Sequence, residues 1–329
     1  MIDLPLSILE VSAFEAGTSA SEAIPGSVRL AQRADELGFQ RIWYAEHHSS
    51  VFLADMPPAI VIAHMAAVTS SIRVGSGGVL APNHVPLSLA EQFAALAAFH
   101  PNRIDLGIGR GPGTMDEQAA RTLRRGAPAA SDEEYGEAVA EVLGLVGVRH
   151  DVPEPWLLSS SAAGATLAAD LGLPMAFAYH IRPQNALEAL ERYRDRFKPS
   201  RWSETPRVML SVGALCAETE AEAAYLGRPF DIAGLRALKG QREQVLPSPE
   251  EAAQRAFTAE EQETLENLSR ARAQGTPEQV ARQLAETSSR FGADELMLLT
   301  PVFDATSRIR SIERIAGLAG PSALRAPVG

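Results

Sequence analysis

Three adjacent ionisable side chains, Glu46, His47 and His48, follow the apolar run IWYA at residues 42–45. Histidine exchanges protons near neutral pH, and a neighbouring carboxylate can set its protonation state. Alternation along an extended chain sends Glu46 and His48 to one side and His47 to the other. We therefore predict that one imidazole faces an open site as a general acid or base, while the other packs beneath the loop.

A metal site is the competing interpretation of the same residues. It would need a third ligand, which Glu46, His180 or Asp105 could supply, but neither H-x-H nor H-E-x-x-H spacing is present. The single cysteine, Cys216, excludes both an internal disulfide and a cysteine-based zinc site. An acid–base site without a metal is therefore favoured over a metal site.

An anion-binding site is predicted from serines and an arginine at two other places in the chain. Three serines, Ser159, Ser160 and Ser161, end an apolar segment. The small residues 162–164 follow them, and the last of these is Gly164. Free N–H groups at a helix N-terminus attract anions, and small residues let an anion approach the backbone. An ordinary N-cap needs one serine only. Arg110 would add a fixed positive charge, so together these residues favour a phosphate site.

Net charge limits the possible partners. The chain has 41 acidic and 30 basic residues, with a formal net charge of −11. An acidic protein repels nucleic acid and anionic membrane surfaces, so neither is expected as a partner. The N-terminus lacks the pattern of a signal peptide and no stretch is long and apolar enough to span a membrane, which predicts a cytoplasmic location.

Glycines concentrate in two further segments. IRVGSGGVL at 72–80 contains Gly77 and Gly78, which predict either close approach of a flat ligand to the backbone or tight packing inside the fold. The segment GIGRGPG at 107–113 matches neither the dinucleotide fingerprint nor the phosphate loop of nucleotide hydrolases. No nicotinamide site is therefore predicted.

The elements that position these residues alternate between strand and helix. Eight apolar segments are predicted to be strands, and each is followed by a helical pattern. The segments are 6–12, 41–46, 72–80, 103–111, 155–161, 174–180, 207–217 and 295–301. Continuously apolar strands indicate a sheet that is buried on both faces. We predict a (β/α)8 TIM barrel, with an open doubly wound sheet as the alternative. In such a barrel the chemistry lies at the carboxyl ends of the strands, where the residues above are found.

No linker composition divides the chain, so residues 1–329 are predicted to form a single domain. The charged segment 218–274 lies between the seventh and eighth strands and is too long for an ordinary connection. We predict that it is an insertion whose helices cover the barrel mouth.

Taken together, these segments resemble the bacterial-luciferase-like flavin monooxygenases. The similarity is carried by YAEHH at 44–48, by the block from Ile72 to Thr114, by LLSSSAAGATLAADLGLP at 157–174, and by GTPEQVARQL and ADELMLLT near the end. It covers about residues 5 to 318. The continuation RGPGT resembles a subgroup that tailors polyketide-type natural products.

The resemblance implies a reduced FMN cofactor and assigns residues to it. The phosphate would be held by Ser160, Ser161, the backbone near Gly164, and Arg110, with Ser159 and Asn83 also in the cofactor site. A non-proline cis peptide bond is implied at Gly77–Gly78. The same resemblance implies that His47 manages a proton beside the ring, while Glu46 and His48 hold its loop. Tyr179, which replaces a smaller residue common in the subgroup, and His180 would belong to the substrate pocket.

The activity implied is a two-component monooxygenase that oxidises a small organic substrate with O2 and receives reduced FMN from a separate flavin reductase. Three alternatives remain open: an F420-dependent hydride-transfer oxidoreductase, a non-catalytic flavin-binding paralogue, and a metal-dependent barrel hydrolase. A homodimer formed through the helical segments 57–69 and 88–100 is also expected, because their apolar content exceeds one core-facing stripe.

Overall fold

Parallel strands of the chain close on themselves into a barrel. The computed structural model describes residues 1–14, 18–241, 243–269, 271–302 and 304–325. Its strands are β1 Leu6–Glu10, β2 Arg41–Tyr44, β3 Arg73–Ser76, β4 Val79–Leu80, β5 Ile104–Gly109, β6 Glu154–Ser159, β7 Met175–Phe177, β8 Val208–Cys216, β9 Arg272–Gly275 and β10 Glu295–Leu299. The pairing order is β1, β2, β3, β5, β6, β7, β8 and β10, and β10 also pairs with β1. The predicted (β/α)8 TIM barrel is confirmed, and the open sheet is wrong because the last strand returns to the first.

Helices surround this barrel. They are α1 Ala20–Leu37, α2 Pro58–Ala67, α3 Pro86–Phe99, α4 Glu117–Leu123, α5 Asp132–Gly147, α6 Ala162–Asp170, α7 Ala186–Arg196, α8 Glu220–Leu238, α9 Pro249–Gln254, α10 Ala259–Ser269, α11 Pro277–Phe291 and α12 Ala305–Ala316. Within the described ranges, no helix combines the length and apolarity that a membrane crossing requires.

Two differences between the predicted and the observed strands have local causes. The expected strand at 72–80 is divided into β3 and β4 by a cis peptide bond between Gly77 and Gly78, where the resemblance implied one. The predicted insertion includes residues 272–274, but the segment RAQG at 272–275 forms β9, which pairs with the carboxyl end of β8. This segment lacks the β-branched and aromatic residues typical of strands, so its pairing depends on β8 extending beyond the barrel.

Side chains that point into the barrel form distinct levels. At the amino ends of the strands, Asp105 is fully buried and accepts hydrogen bonds from Arg41 Nη1 at 2.9 Å, Trp43 Nε1 at 2.8 Å and Arg73 Nε at 2.7 Å. Arg41 also bonds Glu295 through Nε at 2.8 Å. The level above is apolar, and Trp43 meets Trp156 edge to face with ring centroids 5.8 Å apart. The interior below the carboxyl ends of the strands is therefore closed to solvent.

Candidate active site

A cavity of about 910 Å³ opens at the carboxyl ends of the barrel strands. Pockets for small molecules range from about 300 to 1,000 Å³, so this one lies near the upper end of that range. Residues from the ends of the barrel strands line it, and α8 adds Phe230, Ala233, Gly234 and Ala237. Phe230 also packs edge to face against Phe52 of the loop after β2, with centroids 6.4 Å apart.

The loop after β2 separates its two histidines as alternation predicts. His47 lines the cavity, whereas His48 turns away and places Nε2 2.8 Å from Glu46 Oε1. His84, from the segment after β4, approaches the same carboxylate with Nε2 2.9 Å from Oε2. Leu80 donates its backbone N–H to Glu46 Oε2 at 2.8 Å. Glu46 therefore ties the His47 loop to the segment that follows the Gly77–Gly78 bond.

These contacts determine the charge of Glu46. Burial by itself would raise the pKa of this carboxyl, but the hydrogen bonds from His48, His84 and Leu80 outweigh burial and lower the pKa to about 2. The hydrogen bond to Glu46 raises the pKa of His48 against the opposing effect of burial. At neutral pH the carboxylate is therefore ionised and serves as a fixed acceptor for its neighbours.

Replacement of Glu46 by Gln is expected to reduce stability in a defined pH window. The pKa of Glu46 is lowered from 4.5 to about 2, so its contribution is present above pH 4.5 and is lost as the pH falls toward 2. The pKa of His48 is raised above 6.5, so its contribution is complete below pH 6.5 and is lost as the pH rises through the folded-state value. Urea unfolding at several pH values should show the largest deficit between these limits, about 1.5–3 kcal/mol.

A suitable control is Glu188→Gln, which removes the charge of an exposed carboxylate paired with Arg192. That variant should change the unfolding free energy by a few tenths of a kcal/mol. A Glu46→Gln deficit that is the same at pH 3, 5.5 and 8 would contradict the proposed linkage.

His47 itself is neutral at physiological pH. Burial lowers its pKa, and the nearby His48 charge lowers it further, while the Gly113 carbonyl and the Glu46 carboxylate act in the opposite direction. Position 113 requires glycine, because its φ of +73° is a left-handed conformation and an added Cβ would lie 2.7 Å from Leu80 Cδ1. A neutral imidazole that lines a cavity can accept a proton from a ligand.

Backbone donors line another side of the cavity, at the start of α6. Ser161 is the N-cap, and its Oγ accepts the Gly164 N–H at 3.3 Å. Ser159 Oγ accepts the Ser161 N–H at 3.1 Å and fills the space that a Cβ on Gly164 would occupy. In the part of the chain that the structure describes, the N–H groups of Ala162 and Ala163 have no hydrogen-bond partner. Free N–H groups at the N-terminus of a helix attract an anion.

Arg110 and Tyr135 lie on the same side of this cavity. Arg110 pairs with Asp132 through Nη1, donates to the Ala130 carbonyl through Nη2 at 2.8 Å, and lies over the Tyr135 ring at 5.7 Å. Tyr135 is only 4% exposed, and its hydroxyl has no hydrogen-bond partner among the described residues. Burial raises its pKa, so the hydroxyl remains protonated and can donate to an anion. An unpaired buried donor beside an arginine and a helix N-terminus could bind the phosphate of a cofactor.

The glycines at the cavity wall are explained by packing inside the barrel. A Cβ on Gly77 would lie 2.6 Å from Leu9 Cδ1 and 2.9 Å from Trp43 Cβ. A Cβ on Gly78 would lie 2.9 Å from the Gly107 carbonyl oxygen. Both glycines nevertheless line the cavity, so their backbone faces any ligand bound there.

Three predicted site residues do not line the cavity. Asn83 lies in a 3-10 turn over Ala81–Asn83, and its Nδ2 contacts Glu46 Oε1 at 3.4 Å and the Pro112 carbonyl at 3.3 Å. Tyr179 is buried against Phe291, with ring centroids 5.1 Å apart, because the residue after it, His180, is the one that turns toward the cavity. His48, the third of them, is held by Glu46 as described above. The other predicted residues line the cavity: Glu46, His47, Gly77, Gly78, Arg110, Ser159, Ser160, Ser161, Gly164 and His180.

The alternative metal interpretation lacks the necessary arrangement of ligands. Asp105 is engaged by arginines at the opposite end of the barrel interior. Among the described residues, no group of three or more His, Cys, Asp or Glu side chains is placed to hold a metal ion.

A family model described as luciferase-like monooxygenase matches residues 6–295. The chain belongs to the luciferase-like monooxygenase family. Among its relatives, YvbT from Bacillus subtilis is 39% identical over 326 residues, which cover 95% of this chain and 96% of YvbT. The luciferase-like monooxygenase of Escherichia coli K12 is 35% identical over 322 residues, which cover 94% of this chain and 95% of that protein.

Solved structures of three other proteins share the barrel. The crystal structure of apo-MsnO8 matches with a TM-score of 0.84 and 34% identity, covering 96% of this chain and 98% of that one. The oxygenating constituent of 3,6-diketocamphane monooxygenase from Pseudomonas putida, solved with FMN, has a TM-score of 0.73 at 18% identity. An F420-dependent secondary alcohol dehydrogenase has a TM-score of 0.68 at 13% identity. The last two likenesses concern the fold alone.

Four residues of this luciferase-like site were not predicted from the sequence. Tyr135 lies within an ordinary amphipathic helix, and Ser211 lies inside an apolar strand. His84 follows the glycine-rich segment at 72–80, Gly113 ends the one at 107–113, and no local pattern connects either residue with Glu46. A signal was available only for Gly113, because glycine is the residue expected where the chain must adopt a left-handed conformation.

Proposed function

We propose that this chain is a flavin-dependent monooxygenase that uses reduced FMN and O2 to oxidise a small organic substrate. One observation carries the proposal: a single cavity combines an anion-binding wall, formed by the start of α6, Arg110 and the unpaired Tyr135 hydroxyl, with the neutral imidazole of His47. That combination suits a planar cofactor with a phosphate tail.

The residues of this chain would then have separate tasks. Reduced FMN supplies the electrons and the reaction with O2. The N–H groups of α6, the Ser160 hydroxyl, Arg110 and Tyr135 would bind its phosphate, which would compete with Asp132 for the guanidinium group. Apolar side chains such as Leu9, Trp43 and Leu158 exclude water from the cavity. His47 would hold or move a proton at the reacting group, positioned by Glu46.

A separate flavin reductase is part of the proposal, because the chain contains no dinucleotide fingerprint. A deazaflavin cofactor is the second candidate, supported by the shared barrel of the F420-dependent alcohol dehydrogenase. Anaerobic titration of the purified protein with reduced FMN and with reduced F420 separates the two. Saturable binding of reduced FMN, followed by O2-dependent product formation, is the expected result. Tighter binding of F420 would overturn the FMN assignment, and FMN binding without turnover would indicate a non-catalytic paralogue.

Arg110→Ala is expected to weaken FMN binding roughly tenfold, because it removes a charge-assisted hydrogen bond to the phosphate from a half-exposed side chain. Affinity can be measured by quenching of flavin fluorescence. The matched control is Arg121→Ala, an exposed arginine of α4 that does not line the cavity. Equal affinities of the Arg110→Ala and Arg121→Ala variants would remove Arg110 from the phosphate site.

Tyr135→Phe should weaken FMN binding without reducing the stability of the ligand-free protein. The hydroxyl is buried and unpaired, so its removal relieves a desolvation cost instead of breaking a hydrogen bond. The dissociation constant should rise roughly three- to tenfold if the hydroxyl donates to the phosphate. The check is a thermal melt of the free protein together with an FMN titration. A lower melting temperature with unchanged affinity would contradict this role.

We also propose a cytoplasmic homodimer in which residues 1–329 form a single domain. The helices α2 and α3 expose large apolar side chains: Ile60 is 70% exposed, Leu87 49% and Phe99 79%. Exposed apolar patches of this kind mark association surfaces. Sedimentation equilibrium would give twice the chain mass, and a monomer at micromolar concentration would exclude the dimer.

A further inference from the structure

A polar pair lies on the cavity wall away from the anion-binding residues. His180 follows β7, and Ser211 lies within the neighbouring strand β8. The His180 backbone N–H donates to the Ser211 carbonyl at 3.0 Å, so the two segments are joined by main-chain bonding as well. His180 Nδ1 lies 3.2 Å from the Ser211 carbonyl oxygen and 2.9 Å from Ser211 Oγ. Both side chains line the cavity.

The contacts of Nδ1 determine which ring nitrogen carries the proton. A carbonyl oxygen can only accept, so a nitrogen pointing at it must donate. With the proton on Nδ1, both neighbouring oxygens accept from it. With the proton on Nε2, the Nδ1 lone pair would face the carbonyl lone pairs and be repelled. The tautomer with Nδ1–H is therefore favoured, and Nε2 carries a lone pair.

Two hydrogen-bonding groups then remain available to a ligand. No described residue bonds His180 Nε2, which is an acceptor, and Ser211 Oγ can turn its own hydrogen away from the protonated Nδ1. The imidazole remains uncharged, because its exposed edge faces the cavity instead of bulk water and burial lowers its pKa to about 4. One acceptor and one donor on adjacent strands match a group that both donates and accepts.

The surroundings restrict the charge of the ligand. The Glu46 carboxylate is already hydrogen-bonded to histidines, and Arg110 is hydrogen-bonded to Asp132 on the anion-binding wall. Arg182 is exposed at the rim. The remaining wall near the polar pair is apolar, including Ala176, Ala178, Met297 and Leu299. A cation would lose hydration there without gaining a partner of opposite sign, and an anion could pair only with Arg182 at the rim, because Arg110 is bonded to Asp132.

We propose that His180 and Ser211 form the specificity site for the substrate, which is an uncharged, mainly apolar alcohol or phenol whose hydroxyl donates to His180 Nε2 and accepts from Ser211 Oγ. This inference rests on the proposed function, since it assigns the second ligand of the same cavity. A ketone or an ether can only accept, so it leaves the imidazole lone pair unpaired. A carboxylate would place its charge against that lone pair.

Binding of defined probes tests the proposal. The probes are 1-naphthol and 1-octanol, each compared with its methyl ether, together with 1-naphthoate. Calorimetric titration would use the protein both free and saturated with oxidised FMN. At least one alcohol should bind about tenfold or more tightly than its ether, because the ether leaves a buried acceptor unpaired. Failure of both alcohols to bind, equal affinity of alcohol and ether, or tighter binding of the naphthoate would overturn the assignment.

Variants locate the preference at the predicted residues. His180→Phe should reduce the alcohol preference to roughly twofold or less while leaving FMN affinity within about twofold. Ser211→Ala should also reduce the alcohol preference. It provides the test if the His180→Phe protein fails to fold. His150→Phe is the matched control, because His150 is almost fully exposed outside this cavity. A preserved preference in folded His180→Phe and Ser211→Ala proteins would refute the role.

The two proposals fail in different ways. A protein that binds no flavin but retains the His180-dependent alcohol preference would refute the flavin function and leave the hydroxyl site intact. A protein that binds FMN through Arg110 but shows no alcohol preference would refute the hydroxyl site alone.

Discussion

His47→Ala is expected to retain FMN binding and to lose most productive turnover. The side chain lines the cavity but lies outside the anion-binding wall, so its removal leaves the phosphate contacts in place. Positioned acid–base groups contribute roughly 10²–10⁴-fold to rate, and a loss within that range is expected here. The measurement is product formed per O2 consumed, with a flavin reductase and any substrate that the wild-type protein turns over.

The pH profile distinguishes a proton-transfer role from a packing role. Because burial lowers the pKa of His47, the neutral imidazole prevails at pH 7 and is lost only on the acid side. The wild-type kcat/KM should therefore decrease as the pH drops below an apparent pKa that is lower than 6.5. This decrease should be absent in His47→Ala. The control is His64→Ala, which changes an exposed histidine of α2. Unchanged coupling of O2 use to product in His47→Ala would exclude the role.

Asp105→Ala is expected to cost about 3–5 kcal/mol of unfolding free energy. Asp105 is fully buried and accepts from Arg41, Trp43 and Arg73, so its removal leaves a buried guanidinium group with less compensating charge. Glu295 still bonds Arg41 at 2.8 Å, which keeps the loss within this range. Since domains are stable by only about 5–15 kcal/mol, the variant should unfold at markedly lower urea concentration.

Glu188→Ala provides the comparison for this measurement. Glu188 pairs with Arg192 at 2.8 Å on the exposed face of α7, where such pairs contribute about 0.3–0.5 kcal/mol. An Asp105→Ala deficit as small as that of Glu188→Ala would show that the buried arginines find other partners. FMN affinity of the folded fraction should be unchanged in both variants, because Asp105 lies at the opposite end of the barrel interior from the cavity.

Local patterns in the sequence were sufficient for the order of elements and for part of the site. Apolar runs separated by helical periodicity indicated the barrel, because a parallel sheet buried on both sides leaves that signature. Alternation placed His47 and His48 on opposite sides of the chain. The serine run before small residues located the start of α6 at Ala162. The cis bond at Gly77–Gly78 followed from resemblance to the luciferase-like family and not from periodicity.

The partners of these residues were decided only by tertiary structure. Glu46 meets His84, Arg110 meets Tyr135, and His180 meets Ser211 across separations of 38, 25 and 31 residues. Such pairings depend on strand register and on the path of each loop, and neither leaves a periodic trace in the chain. The sequence by itself determined which strand ends carry chemistry, because that depends on neighbours along the chain. Closure of the barrel decided which of those groups share a cavity, because it brings distant strand ends together.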